Sequence, residues 1–296
     1  MQKAISAFSF VMILALSASA QKITAPVSLQ QGDSIAVSVS VKQVVAQQAM
    51  GQPIDFHVDG IADHFYKVSN STDDNATLHH KAQRMQFDFD GMGQKRSFDS
   101  DNKKDMDGQF GKPIKDILSK EYDMIIDRSG NTKLVRPEKI ALQEPDSRFA
   151  LIASMMKDLI HVIYPPQKNT ASLFGVLPEQ GAAVGESWQE TFKTETESGI
   201  TTYTLSSVTD TTIVVDFKTI ASSTTTSEMM GRELSTTMKS NITGQLIADK
   251  ASGLIKQKNS VIESNGAAEL TGSGMPSMPI NGKTNITVTV KRYPAM

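Results

Sequence analysis

The 296-residue chain contains no cysteine. No disulfide can brace the fold, so burial alone must hold it, and no thiol is present to carry a lipid anchor. Charge of one sign is equally scarce: 30 Lys+Arg stand against 32 Asp+Glu, a formal net charge of −2. Without a basic field, phosphate backbones and anionic lipid surfaces lose their usual electrostatic attraction, and no nucleic-acid partner is expected. Aromatic residues make up 6% of the chain and tryptophan occurs once, at Trp188. Beyond residue 20 no stretch approaches the roughly 20 apolar residues of a spanning helix, so no transmembrane segment is expected. With 39% hydrophobic residues the chain is not disordered as a whole, and its length allows a sizeable core in one or two domains.

Residues 1–20 have the three parts of a cleavable export signal: Lys3, the apolar run Ala4 to Leu16, and the small-residue end Ala18-Ser19-Ala20. Cleavage is expected after Ala20, leaving an exported, soluble protein of the periplasm or extracellular space.

From Ser34 onward, period-two alternation dominates the chain. Ile35, Val37, Val39 and Val41 point one way while Ala36, Ser38, Ser40 and Lys42 point the other, which is the pattern of a half-buried strand. The same alternation recurs at Ile54 to Val58, Met85 to Phe89, Ile213 to Phe217 and Ile286 to Val290. From Thr191 to Ser240, Thr and Ser fill nearly half the positions; strands with a solvated face are the expectation, a glycosylated or disordered tract the compositional alternative. Two segments break the pattern. Pro113 opens a short helix with Ile114, Ile117 and Leu118 on one face. A longer helix starts near the cap Asp146, carries Phe149, Ile152, Met156, Leu159, Ile160 and Ile163, and stops at Pro165-Pro166. The linker Gln167 to Val184, rich in Gly, Pro and Ala, comes next.

Three landmarks occur twice in the same order. Gly32-Asp33-Ser34-Ile35 matches Gly185-Glu186-Ser187-Trp188. Tyr66-Lys67-Val68-Ser69 with Thr72-Asp73 matches Tyr203-Thr204-Leu205-Ser206 with Thr209-Asp210. The turn from Ile125 to Gly130 matches the one from Leu246 to Gly253. The first copy has 16 more residues between its Gly and its Tyr, a surplus assigned to an extra hairpin at Met50 to Gly60. The expected fold is therefore mainly β, a β-rich α+β arrangement of two related curved antiparallel sheets, or half-barrels, joined by a helical segment. The expected division is 1–20 signal peptide, 21–145 first β unit with a short helix, 146–184 amphipathic helix and linker, and 185–296 second β unit.

Chemistry is harder to find. Ser34 follows Gly-Asp as in small secreted hydrolases, but it leads into a strand and no C-terminal Asp-x-x-His exists to supply a base. Ser154-Met155-Met156-Lys157 has the Ser-x-x-Lys spacing of penicillin-recognising enzymes, and Lys283-Thr284-Asn285 half matches their strand motif. The plainer reading is chance on an amphipathic helix. His79 and His80 point to opposite faces of a strand, and His57 and His64 could meet across a hairpin only without a fixed third ligand. In Asp99 to Gly108, Lys103 and Lys104 occupy positions where a calcium loop needs oxygen ligands. Methionines flank Gly or Pro at Met50, Met92, Met229, Met230, Met275 and Met278. They read first as hairpin tips, then as an adaptable apolar rim, and last as a Cu(I) site. Asp33-Ser34-Ile35 and Asp210-Thr211-Thr212 resemble acceptor sites for O-linked glycans. No catalytic, cofactor-binding or metal-ligating residue is assigned.

Several blocks together carry a likeness: Phe98-Asp99-Ser100-Asp101, Tyr122 to Gly130, Phe174-Gly175-Val176-Leu177-Pro178, Val184 to Trp188 and Gly244 to Lys250. In these the chain resembles a family of exported bacterial proteins catalogued only as a domain of unknown function, without the lipobox of many of its members. The resemblance implies an envelope location and a β-rich fold, and brings no catalytic residue.

The function expected from all this is non-catalytic. It is an exported envelope binding or carrier module whose inner sheet faces meet a lipid or another hydrophobic or amphipathic ligand. The alternative is a structural or protein-interaction module without a cavity, meeting an envelope protein partner. A serine hydrolase comes third.

Overall fold

The computed structural model describes residues 21–49, 52–91, 93–140, 156–160, 163–229, 232–272, 274 and 276–295. The expected export segment, most of the helix expected over 146–163, and Ser154 lie outside the described residues.

The chain is mainly β. Twelve strands occur in the order β1 (Ser34–Ala49), β2 (Gln52–Ser71), β3 (Asn75–Gly91), β4 (Gln94–Asp99), β5 (Glu121–Asp127), β6 (Thr132–Arg136), β7 (Ser187–Lys193), β8 (Glu197–Val208), β9 (Thr212–Met229), β10 (Arg232–Asp249), β11 (Ile255–Leu270) and β12 (Met278–Tyr293). Helix α1 (Lys103–Met106) and helix α2 (Gly111–Leu118) lie between β4 and β5, and α3 (Lys157–Ile160) lies between β6 and β7. Every alternating segment read from the sequence lies in a strand, and the Thr/Ser-rich stretch forms β7 to β10.

Instead of two separate sheets, all strands join one large antiparallel sheet, not closed into a barrel, in the order β6-β5-β3-β2-β1-β12-β11-β10-β9-β8-β7, with β4 paired to β3. The last strand decides this. β12 lies between β1 and β11, with Val37 opposite Val290 and Lys258 opposite Val288, and so welds the two halves.

The repeated landmarks sit at matching registers on either side of that weld. Ser34 faces Lys67 and Ile35 faces Tyr66; Ser187 faces Thr204 and Trp188 faces Tyr203. The Gly32 amide donates to the Val68 carbonyl at 2.9 Å, as Gly185 does to Leu205 at 2.7 Å. Both glycines have positive φ, 93° and 86°, a turn conformation that disfavours a Cβ. Bulges fall at the same place, between Val68 and Asn70 and between Leu205 and Ser207. The Asp127 turn, tied to Lys133 at 2.8 Å, corresponds to the Asp249 turn, tied to Lys256 at 2.8 Å.

Two expectations change. The surplus of the first copy is not an extra hairpin at Met50 to Gly60. It lengthens both arms of the β1-β2 hairpin, whose first strand has 16 residues against 7 in β7. Pro113 does not open its helix either: α2 starts at Gly111, placing Pro113 third, where a missing N–H still costs no intrahelical bond.

The inner face of the first half is sealed. Ile114 and Ile117 of α2, Leu159 and Ile160 of α3, with Met156, Ile163 and Phe174 from loops, are buried with Val39, Val58, Leu78, Met85 and Phe87 of the strands. Gly60 makes room for α3, since a methyl there would overlap the Leu159 side chain. Phe87, Phe98 and Phe110 pack ring against ring at centroid separations of 5.4 to 6.4 Å.

Candidate functional site

One residue row crosses the whole inner face: Trp188, Tyr203, Phe217, Gly244, Ser260, Ile286, Val41, Gly60, Phe87 and Phe98, each opposite the next on a neighbouring strand. Its first-half members, Val41 to Phe98, are buried beneath the helices. From β12 to β7, Ile286, Gly244, Tyr203 and Trp188 are only half-buried, while Ser260 and Phe217 between them are buried. The adjacent row is mixed: Val58 and Phe89 are buried in the first half, and in the second Thr201, Thr219 and Thr284 are buried, Ile242 and Ile262 half-exposed and Glu190 exposed. One continuous face is thus fully covered in its first half and only partly covered in its second, where Leu205, Val215, Leu246 and Val288 still join the buried core.

The open end has an aromatic floor. Trp188 and Tyr203 stack with centroids 5.4 Å apart and planes at 16°, and Phe217 lies 6.1 Å from Tyr203. Phe217 lies flat because Gly244, its cross-strand neighbour, has no side chain; a methyl there would overlap the ring. The buried Thr201 and Thr219 hydroxyls hydrogen-bond each other at 2.8 Å beside this floor.

Two charged side chains break this surface. Lys258 stands in a row that is otherwise apolar, between Leu246 and Val288, and its Nζ lies 4.9 Å above the centre of the Phe217 ring. Burial lowers its pKa, and the charge of Glu190 opposes that shift. Glu190 keeps one flank in water, yet partial burial raises its pKa, with Lys258 and a hydrogen bond from Tyr203 pulling the other way. The Tyr203 hydroxyl is in turn held protonated, by burial first and by Glu190 second.

The residues singled out from sequence go elsewhere. Ser34 starts β1 and accepts a hydrogen bond from Lys67 at 3.3 Å, and among the described residues no histidine hydrogen-bonds it. Its neighbour Asp33 is fully buried. It pairs with Arg292 at 2.6 Å and accepts from the backbone amides of Gln30 and Ala295 at 2.8 and 3.1 Å, so the Gly-Asp-Ser lead-in is a structural clamp. Thr284 accepts a hydrogen bond from Gln43 at 3.1 Å, and Lys283 pairs with Glu263 at 3.4 Å. The acidic stretch 99–108 forms α1, capped by Asn102, and its Asp99 and Asp101 pair with Arg84 at 2.6 and 3.1 Å. Met50, Met92, Met230 and Met275 lie outside the described residues.

The histidines regroup. His57 and His64 do not meet, because an odd separation on β2 places them on opposite faces, His57 in solvent and His64 in the core. His79 faces out towards Asp123 at 2.9 Å, while His80 faces in and contacts His64, Nε2 to Nδ1, at 3.1 Å. Tyr122 stacks on His80 at 4.3 Å, and Tyr66 packs at 4.8 Å. Burial lowers the pKa of His64 to about 4 and, with the neighbouring histidines adding to it, that of His80 to about 3. Among the described residues no group of three or more His, Asp or Glu side chains is placed to hold a metal ion. A cleft of about 500 Å3 lies among turns, lined by residues 26–31 and 71–76 with Asp127 and Arg128, and is not enclosed by the apolar faces.

A family described as "Family of unknown function (DUF6263)" matches residues 167–255, which run from the linker through β10. No curated protein sequence matches the chain. Among solved structures, one of lipid–protein interactions in lipovitellin aligns with 91% of this chain at 11% identity and a TM-score of 0.41. The chain spans about a quarter of that protein, 26%. An outer membrane channel from Pseudomonas putida F1 aligns at 7% identity and a TM-score of 0.24, over 90% of this chain and 97% of that one. The β domain of the Bordetella autotransporter BrkA aligns at 8% identity and a TM-score of 0.23, over 88% and 99%. Likenesses at these scores do not bear on function. No described helix is long and apolar enough to cross a membrane.

Proposed function

We propose that the protein is an exported, non-catalytic carrier or binding module of the cell envelope, and that it holds an amphipathic ligand on the open inner face of its second half. One observation carries this reading: the same face that α2 and α3 seal over the first half is half-exposed in the second at Trp188, Tyr203, Ile242, Gly244, Ile262 and Ile286, beside the buried stretch of Leu205, Val215, Leu246 and Val288. An open antiparallel sheet gains by covering its apolar face, and aromatic rings with a few polar groups between them suit a ligand that is partly apolar. The matching registers, turns and bulges support two copies of one curved unit, of which the first keeps its own cover and the second takes a ligand instead.

The only tryptophan stands on this floor, so its emission reports occupancy directly. Titration with a micelle-forming amphiphile below its critical concentration is expected to shift or quench Trp188 emission saturably, and native extraction with mass spectrometry is expected to recover a bound lipid. No co-purifying lipid together with no saturable change would end this proposal and favour a structural module.

A further inference from the structure

We propose that the ligand of this face is a long-chain carboxylate whose headgroup pairs with the Lys258 ammonium while its chain lies along the inner positions of β10, β11 and β12. The inference rests on the carrier reading and adds the charge class of the ligand.

Lys258 is a cation short of partners. Among the described residues its ammonium makes no hydrogen bond and no ion pair within 4.0 Å, although its backbone position lies between the buried Leu246 and Val288. The Phe217 ring supports the charge but offers no acceptor, and the half-buried side chain leaves the ammonium within reach of water or of a ligand anion. A cation in apolar surroundings is costly unless an anion completes it. The nearest candidate, Glu190, contributes charge at a distance and is itself engaged by Tyr203.

A ligand carboxylate suits this ammonium in charge and in size. It carries one negative charge for one positive charge, where a phosphate would bring a second that nothing here balances. When it pairs with Lys258, Glu190 loses its countercharge and takes up a proton, which partial burial already favours. From Lys258 the inner positions continue as Ser260, Ile262, Ser264 and Gly266, flanked by Ile242 and Ile286. Ser240 and Ser264 bond each other at 2.7 Å.

The test compares three ligands with the same twelve-carbon chain: dodecanoate, dodecyl maltoside and dodecyltrimethylammonium. Each is titrated into the protein below its micelle concentration, with Trp188 emission and calorimetry as readouts. Dodecanoate is expected to bind at least about tenfold more tightly than the other two. Lys258→Met, which replaces a half-buried cation with an apolar chain of similar length, is expected to erase that preference, and Lys258→Arg to keep it. Circular dichroism of each variant separates loss of binding from loss of fold. Equal affinity for dodecanoate and maltoside, or a preference that survives in folded Lys258→Met, overturns the carboxylate assignment and leaves the carrier reading intact. Absence of binding by all three ligands removes both.

Discussion

His64 and His80 are the residues whose chemistry is most altered by the fold. Each ring uses one nitrogen for the other, and the remaining two, His64 Nε2 and His80 Nδ1, have no partner. Protonating either ring would place a charge between Tyr66, Tyr122 and Phe174, so both stay neutral in the native state. The unfolded chain takes up protons on both below pH about 6.5, whereas the folded chain resists until about 4 and about 3. Stability is therefore complete above that range and falls as the pH falls through it, by about 1.4 kcal/mol per pH unit for each histidine. Urea midpoints measured from neutral pH downwards should show this loss, and His80→Phe should remove roughly half of the slope. Parity alone excludes the pairing of His57 with His64, because 57 and 64 on one strand cannot share a face. The contact of His64 with His80 needed the register of β2 on β3, which a bulge between Asp63 and His64 shifts by one residue. Lys258 was not legible: residues 255–264 show no apolar alternation, and its inward position follows only from its pairing with Leu246 and Val288.

Among the elements, the two lead-ins to β1 and β7 look alike in sequence and differ in weight. Asp33 and Glu186 each close a turn by accepting from a backbone amide three residues earlier, at 2.8 Å in both cases. Asp33 is sealed under the C-terminal strand with Arg292, while Glu186 meets Lys22 in solvent. Removing one partner of a buried pair strands the other, so Asp33→Ala should cost about 3 kcal/mol. Glu186→Ala should change stability only slightly, because water and salt already screen its ion pair. Chemical denaturation of the two variants side by side checks the contrast. The strands were the most legible elements, since alternation reports burial directly. Lengths were less so: β1 runs on through Gln43, Val44, Val45, Ala46 and Gln47, where a polar residue at an inward position hides the period.

At the scale of the molecule, a single sheet is covered unevenly. Around Ala62 to Phe87 it has helices on its inner face, whereas the Thr224–Thr226 and Thr236–Thr237 arms of the β9-β10 hairpin are largely open to water. Native-state hydrogen exchange should therefore be slowest in β2 and β3 and fastest along that hairpin, because few apolar contacts oppose local opening there. A bound amphiphile should slow exchange in β10 and β11 and leave β2 and β3 unaffected. Uniform protection across both halves would contradict this division of the sheet.

By itself the sequence determined the β character, the placement of the strands and the doubled order of turns. Each of these comes from local chemistry: period-two alternation, glycines at positive φ, and acids that close turns on nearby amides. Only the tertiary structure decided that the two halves form one sheet, that His64 faces His80, and that one half of the inner face is covered in part. These depend on β12 lying between β1 and β11, a pairing between Ser34 and Tyr293 that spans almost the entire described chain. Residues so far apart in sequence meet through the register of every strand between them, and no local pattern encodes that sum.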